Sequence, residues 1–138
     1  IGTNLGNREE NIRNALRFLD AKVGDQIACS SIYRSKPQGF VSDNEFANVV
    51  VVYQTEYTPE EILHITQQIE QELGRTHKTV DGIYHDRIID IDLLLAKIGT
   101  LSLDCNTPTL TIPHPRMNSR DFVLIPLQEV EHLLLNKL

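Results

Sequence analysis

Apolar positions return at helical spacing soon after the start of the chain. Ile12, Ala15, Leu16, Leu19 and Val23 make one stripe. Asn7-Arg8-Glu9-Glu10 in front of it has capping-box spacing, so a helix is expected from Asn7. Residues 26–35 alternate instead, with Ile27, Cys29, Ile32 and Tyr33, which predicts a strand. Residues 36–45 hold Pro37, Gly39, Asp43 and Asn44 and predict a loop. Valine-rich residues 46–55 predict a second strand. Thr58-Pro59-Glu60-Glu61 then opens the clearest helix: Thr58 suits the N-cap, Pro59 the first turn and Glu61 the reciprocal cap. Ile62, Ile65, Ile69 and Leu73 form its stripe, and Gly74 suits its stop. Residues 76–86 predict a long loop and residues 87–96 a strand. Residues 101–112 predict a short hairpin. Pro113-His114-Pro115 must be extended or turned. A last helix is expected over residues 121–134, with Pro126 as a candidate break.

The resulting order, β-α-β-β-α-β, predicts an α+β chain with a ferredoxin-like split βαβ core. Its helices would pack on an antiparallel sheet, followed by a C-terminal hairpin and helix. Many unrelated functions share that fold, so it carries little functional weight alone. A length of 138 residues fits one domain, residues 1–138. Ile1 runs at once into Gly2-Thr3-Asn4, so the opening strand is expected to be cut short, and an upstream targeting segment stays open.

Composition narrows the function classes. The longest apolar run, residues 49–53, is strand-sized and far below the ~20 residues of a membrane span. A net charge of −6 argues against broad nucleic-acid binding, although one local anion site remains compatible with it. Cys29 and Cys105 make no disulfide framework and no CxxC pair. They read as buried or incidental thiols of a reducing compartment, which predicts a cytoplasmic protein. Oligomeric state is not legible.

The most informative segment is Asp86-Arg87-Ile88-Ile89-Asp90-Ile91-Asp92-Leu93-Leu94-Leu95. In a strand, side chains two apart share a face, so Asp90 and Asp92 point one way and Ile89, Ile91, Leu93 and Leu95 the other. Two parallel carboxylates on a rigid strand can hold hard divalent cations. The bland alternative is a decorated solvent face. Both aspartates, however, interrupt an apolar run that cations flank. Arg75, His77, Lys78, His85 and Arg87 form one basic group, and His114, Arg116 and Arg120 another. Either could be a solvated charged loop. Beside a carboxylate pair they match what a polyphosphate needs. Gly2-Thr3-Asn4-Leu5-Gly6-Asn7 reads as a tight turn with an N-cap, and is neither a Walker loop nor a Rossmann fingerprint. Asn48 sits in a strand expected to be buried, where an amide must find partners, either the backbone or a ligand. Phe46, Tyr84 and Phe122 could sandwich a flat heterocycle or serve the core.

Together these stretches resemble the hydroxymethyl-dihydropterin pyrophosphokinase family over nearly the whole chain. The matching pieces are Gly2-Thr3-Asn4-Leu5-Gly6, Tyr33-Arg34-Ser35, Phe46-Ala47-Asn48, Gln68-Ile69-Glu70 with Gly74-Arg75, the Arg87-to-Asp92 strand, and Pro113-His114-Pro115-Arg116-Met117 with Arg120. The resemblance implies transfer of diphosphate from ATP to a pterin alcohol, with two magnesium ions on Asp90 and Asp92. It implies catalytic roles for Arg75, Arg87, Asp90 and Asp92. It implies ATP contacts from Glu70, Arg75, His77, Arg87, His114 and Arg120. A pterin pocket of Ser35, Phe46, Asn48, Tyr84 and Phe122 follows in the same way, with lids at residues 36–45 and 76–86. The sequence departs from the family's usual pattern at His77, where an arginine is frequent, and at His85-Asp86, where small residues or proline are frequent. Two other readings stay open: a metal-dependent nucleotide transferase with another acceptor, and a ferredoxin-like module that binds a small regulatory ligand.

Overall fold

The computed structural model of the chain describes residues 1–35, 45–74, 88–99 and 101–137. Among them, three helices accompany small antiparallel sheets, an α+β arrangement. Strand β1 (Gly2–Thr3) leads into helix α1 (Arg8–Lys22). The Asn7 side chain accepts the Glu10 N–H at 3.1 Å, and Glu9 and Glu10 sit favourably in the positive first turn. Helix α2 (Pro59–Glu72) has the full reciprocal box: Thr58 Oγ1 accepts the Glu61 N–H, and Glu61 Oε1 accepts the Thr58 N–H. Its stop falls where Gly74 takes a φ of +98°, a region glycine enters freely.

Each of the two long strands expected over residues 26–35 and 46–55 is interrupted. The first divides into β2 (Asp25–Cys29) and β3 (Tyr33–Ser35), the second into β4 (Phe46–Asn48) and β5 (Val51–Gln54). At the break a hydroxyl substitutes for a ladder carbonyl: Ser30 N donates to Val50 O, but Val50 N donates to Ser30 Oγ. Strands β2 and β5 pair antiparallel, and β1, β4 and β3 lie side by side in that order.

The strand expected over residues 87–96 is not formed as such. Within its described part only Asp90 makes a ladder bridge, to Gly2. The hairpin expected over residues 101–112 becomes two: β6 (Lys97–Ile98) with β7 (Leu101–Ser102), and β8 (Cys105–Asn106) with β9 (Thr111–Ile112). Helix α3 (Asp121–Lys137) runs past Pro126 without the expected break. The proline ring is fully buried beside Leu127 and Val130, which are also buried. That packing outweighs the one hydrogen bond its missing N–H forfeits. Neither cysteine is buried: Cys29 is exposed, Cys105 half-buried, and both are free thiols. No helix among the described residues is long and apolar enough to cross a membrane.

Neighbouring valines show how the layers are built. Val49 packs with Ala47 and Ile12 of α1, whereas Val50 packs with Val52 and with Leu127 and Val130 of α3. Ile89 and Ile91 join Ala15 and Leu19 of α1 and Ile69 of α2. The alternation thus puts α1 and α2 on one face of the strands and α3 on the other. Full burial of a side chain such as Ile69 or Ile89 contributes about 1.5–3 kcal/mol.

Candidate active site

The antiparallel register builds a row across the sheet. Asp90 faces Gly2, Gly2 faces Asn48, and Asn48 faces Tyr33. Residues directly opposite in such a ladder project to the same side. Asp90 and Asn48 therefore share a face, about 10 Å apart at the backbone given a strand spacing near 4.8 Å. Ser35 and Phe46, opposite each other one step along, share it too. It is the face that α3 covers in part, away from α1 and α2.

Gly2 is the gap in this row. A Cβ placed there would lie 2.5 Å from Asn48 Oδ1, so the Asn48 amide rests where any other residue would project a side chain. The other end of that amide is unsatisfied. Asn48 is 9% exposed, and its Nδ2 has no hydrogen-bond partner among the described residues; nor has the buried Ser35 Oγ. Leaving such a group buried and unpaired costs about 1–3 kcal/mol, which a ligand with a polar edge would recover. Phe46 is half-buried beside them.

The acidic segment has the alternation its sequence predicts. Ile89 and Ile91 are buried, Asp90 is half-buried and Asp92 exposed. Asp90 N donates to Gly2 O, and Gly2 N donates to Asp90 O, both at 2.8 Å. From the other side, Glu70 Oε2 of α2 accepts the Ile91 N–H at 2.8 Å. Glu70 itself is 5% exposed. No group of three or more His, Cys, Asp or Glu among the described residues could hold a metal ion. A pair of carboxylates is nonetheless a fitting donor set for magnesium, which usually takes one or two and fills its shell with water and phosphate oxygens.

The second basic group approaches along Leu94, two residues beyond Asp92. His114 N donates to Leu94 O at 2.9 Å. The His114 ring accepts the Arg116 N–H at Nδ1, at 3.2 Å, so in the neutral ring the proton belongs on Nε2. Arg120, at the start of α3, lies 5.4 Å from the centre of the Phe122 ring, a cation–π distance. Helix α3 packs on β3 and β4, which carry Ser35, Phe46 and Asn48.

The sequence-predicted residues thus divide cleanly. Asp90, Asn48, Phe46 and Ser35 share one sheet face. Phe122 and Arg120 stand at the start of the helix on that face, and His114 is tied to the acidic segment. Glu70 lies beneath that segment. Arg75, His77, Tyr84 and Arg87 lie outside the described residues, as do residues 36–44 and 76–86 of the expected lids. Two features went unread. At Gly2 the sequence suggests part of a turn, whereas the structure shows a strand glycine that lets a neighbour approach closely. The bond from Glu70 to Ile91 had one faint sign, a carboxylate next to Ile69 of the apolar stripe.

This is an α+β protein that sets the Asp90 carboxylate and an unpaired amide on one sheet face, with Asp92 exposed two residues on, the equipment of a small-molecule enzyme. The chain belongs to the 7,8-dihydro-6-hydroxymethylpterin-pyrophosphokinase family, whose family model matches residues 1–132. It is similar to the 2-amino-4-hydroxy-6-hydroxymethyldihydropteridine pyrophosphokinase of Porphyromonas gingivalis, with 46% identity over 130 residues, 94% of this chain and 86% of that protein. The Bacillus subtilis protein of the same name is 39% identical over 131 residues, 94% of this chain and 74% of its own. A folic acid synthesis protein of Dictyostelium discoideum is 35% identical over 130 residues, which cover 94% of this chain but 19% of that longer protein.

Proposed function

We propose that this chain transfers diphosphate from ATP to 6-hydroxymethyl-7,8-dihydropterin, releasing AMP, as a step of folate synthesis. The observation that carries the reading is the row Asp90–Gly2–Asn48. It brings a carboxylate fit for a phosphate-bound cation within about 10 Å of an amide that needs a polar partner. That spacing suits a reaction that joins an alcohol to a phosphorus. In this reading residues 1–138 are one domain working in the cytoplasm. The pairing order, acidic segment–β1–β4–β3 and antiparallel throughout, supports a ferredoxin-like core with a C-terminal extension.

The pterin ring sits with its polar edge on Asn48 and Ser35 and its faces against Phe46, Phe122 and Tyr84. Arg75, His77, Arg87, His114 and Arg120 hold the triphosphate, with Glu70 on the nucleotide side. His114 reaches it as an Nε2–H donor. The pterin hydroxymethyl oxygen attacks the β-phosphorus in line. The bond from that phosphorus to the oxygen bridging toward the α-phosphate breaks, AMP leaves with the electron pair of that bond, and the hydroxyl proton passes to water. Two magnesium ions on Asp90 and Asp92 would neutralise phosphate charge on the attacking and leaving sides. The residues contribute chiefly position and charge, as phosphoryl-type transfers require. Product analysis after mixing the protein with ATP, magnesium and the pterin alcohol tests this: AMP and pterin diphosphate are expected. ADP would point to transfer of a single phosphoryl group, and an inert pterin to another acceptor.

A further inference from the structure

We propose that Glu70 is a positioning residue that fixes the Asp90–Ile91 peptide, and through it the direction of the Asp90 and Asp92 carboxylates on either side. The inference rests on Asp90 and Asp92 as metal ligands and adds a task to Glu70 beyond the nucleotide side of the site.

The argument starts from one planar unit. The Asp90 carbonyl and the Ile91 N–H belong to the same peptide, and in the trans form they point in opposite directions. The carbonyl accepts Gly2 N at 2.8 Å on the β1 side. The N–H donates to Glu70 Oε2 at 2.8 Å on the far side. The plane is held at both ends. A segment that bridges a sheet at one residue presents its next N–H outward, where no strand waits among the described residues. Ile91 is buried, so that N–H needs an acceptor, and α2 supplies a side chain for it. Glutamate is almost never this buried unless paired. A carboxylate on a backbone N–H is a charge-assisted bond, stronger and shorter than a neutral one. The Cα atoms of Asp90 and Ile91 flank the pinned plane, and Asp92 follows one residue on. A rotation of that plane would swing both carboxylates relative to the Asn48 row.

The test separates geometry from charge. Glu70→Gln keeps an acceptor oxygen of the same length and loses the charge; Glu70→Leu loses the acceptor. Each variant is assayed for kcat, KM for ATP and the magnesium concentration at half-maximal rate. Mn2+ binding with an unhydrolysable ATP analogue, followed by electron paramagnetic resonance, and hydrogen exchange at the Ile91 amide are read without turnover. Glu70→Leu is expected to raise the metal requirement and lower kcat by roughly 10- to 100-fold, the scale on which groups behind metal ligands act. Its Ile91 amide should exchange faster. Glu70→Gln keeps an acceptor for the Ile91 amide, so that amide should exchange more slowly than in Glu70→Leu and the metal requirement should rise less. Equal losses in the two variants would overturn the proposal, as would a raised KM for ATP with an unchanged metal requirement. Should Glu70→Leu not fold, Glu70→Asp takes its place: it keeps the charge but withdraws the carboxylate by one methylene, and behaviour like the parent's would overturn the proposal. A parent protein that made no AMP would refute the proposed reaction, whereas Mn2+ binding and Ile91 exchange would still judge Glu70.

Discussion

Helix α2 and the segment at residues 88–96 pack together through Ile69, Ile89 and Ile91 and share the buried Glu70–Ile91 hydrogen bond, yet they come by their shapes in opposite ways. Helix α2 is specified from within. Thr58 and Glu61 cap each other, Pro59 opens the first turn, and Ile62, Ile65, Ile69 and Leu73 bury one stripe. The acidic segment is specified from without. Its sequence alternates like a strand, but its backbone is held by Gly2, by the Glu70 carboxylate and, at Leu94, by His114 N. A self-capped helix makes a rigid support, while a segment held by neighbours can be aimed. That division suits an active site, whose groups must be placed to a fraction of an ångström.

The largest way to break the contrast is to remove what the borrowed segment displays. Asp90→Ala or Asp92→Ala is expected to lower kcat by roughly 10²- to 10³-fold, as when one group stabilising transition-state charge is lost. Their side chains lie on the polar face of the segment, so the fold should stay intact. A kcat near that of the parent would remove them from the mechanism. Next comes the row between them and the amide. Asn48→Ala should weaken pterin binding by about 1–3 kcal/mol and ATP binding far less. Gly2→Ala should act in the same direction, because its Cβ displaces the Asn48 amide. Calorimetry with each ligand distinguishes this from scaffold damage, which would weaken both ligands equally.

Smaller effects sharpen the other side of the comparison. Thr58→Ala removes half of the α2 capping box and should cost about 1 kcal/mol of stability. That corresponds to a melting shift of about 3–5 °C, with kcat unchanged at temperatures where the protein stays folded. The smallest change expected is at Tyr53, on the α1 side of the sheet. Its hydroxyl donates to Asp20 Oδ1 at 2.5 Å. Partial burial, reinforced by that bond, pushes the phenol well above its ordinary value of 10.0. A group whose pKa rises on folding stabilises fully below its unfolded value and loses that contribution as pH climbs past it. Tyr53→Phe should therefore cost roughly 0.5–1 kcal/mol at neutral pH. The parent's stability should decline above about pH 10, and the variant's less steeply. Parallel unfolding profiles over that range would show that the Tyr53 bond adds nothing.

How far the sequence could be read follows the same contrast. Helices α1 and α2 were legible because caps and stripes are local. The alternation of Ile89, Asp90, Ile91 and Asp92 was legible because a period of two needs no partner. The break at Ser30 was not, since it depends on the N–H of Val50, twenty residues away, donating to a serine hydroxyl oxygen in place of a carbonyl. Nor was the uninterrupted course of α3, because the packing that outweighs the proline penalty is tertiary. Asn48 could be singled out as a buried amide, but the face it shares with Asp90 required the register through Gly2. The cysteines were half read: free and incidental, but not buried. Cys29 is exposed, although partial desolvation still pushes its thiol up.

Pro126 has a mechanical consequence for the end of α3 nearest the site. In a regular helix the N–H at this position would clasp the carbonyl of Phe122, one turn earlier. Proline has no such hydrogen to give, so the first turn is sewn to the rest of the rod with one stitch missing. From Pro126 onward the helix is anchored by Leu127 and Val130, which pack on Val50 and Val52 of the sheet. Stiffness therefore changes along the rod: firm where it is clamped, more compliant where it carries Arg120 and Phe122. A bending load on such a beam would meet least resistance at that missing stitch, one turn behind the aromatic ring on the site's side of the sheet.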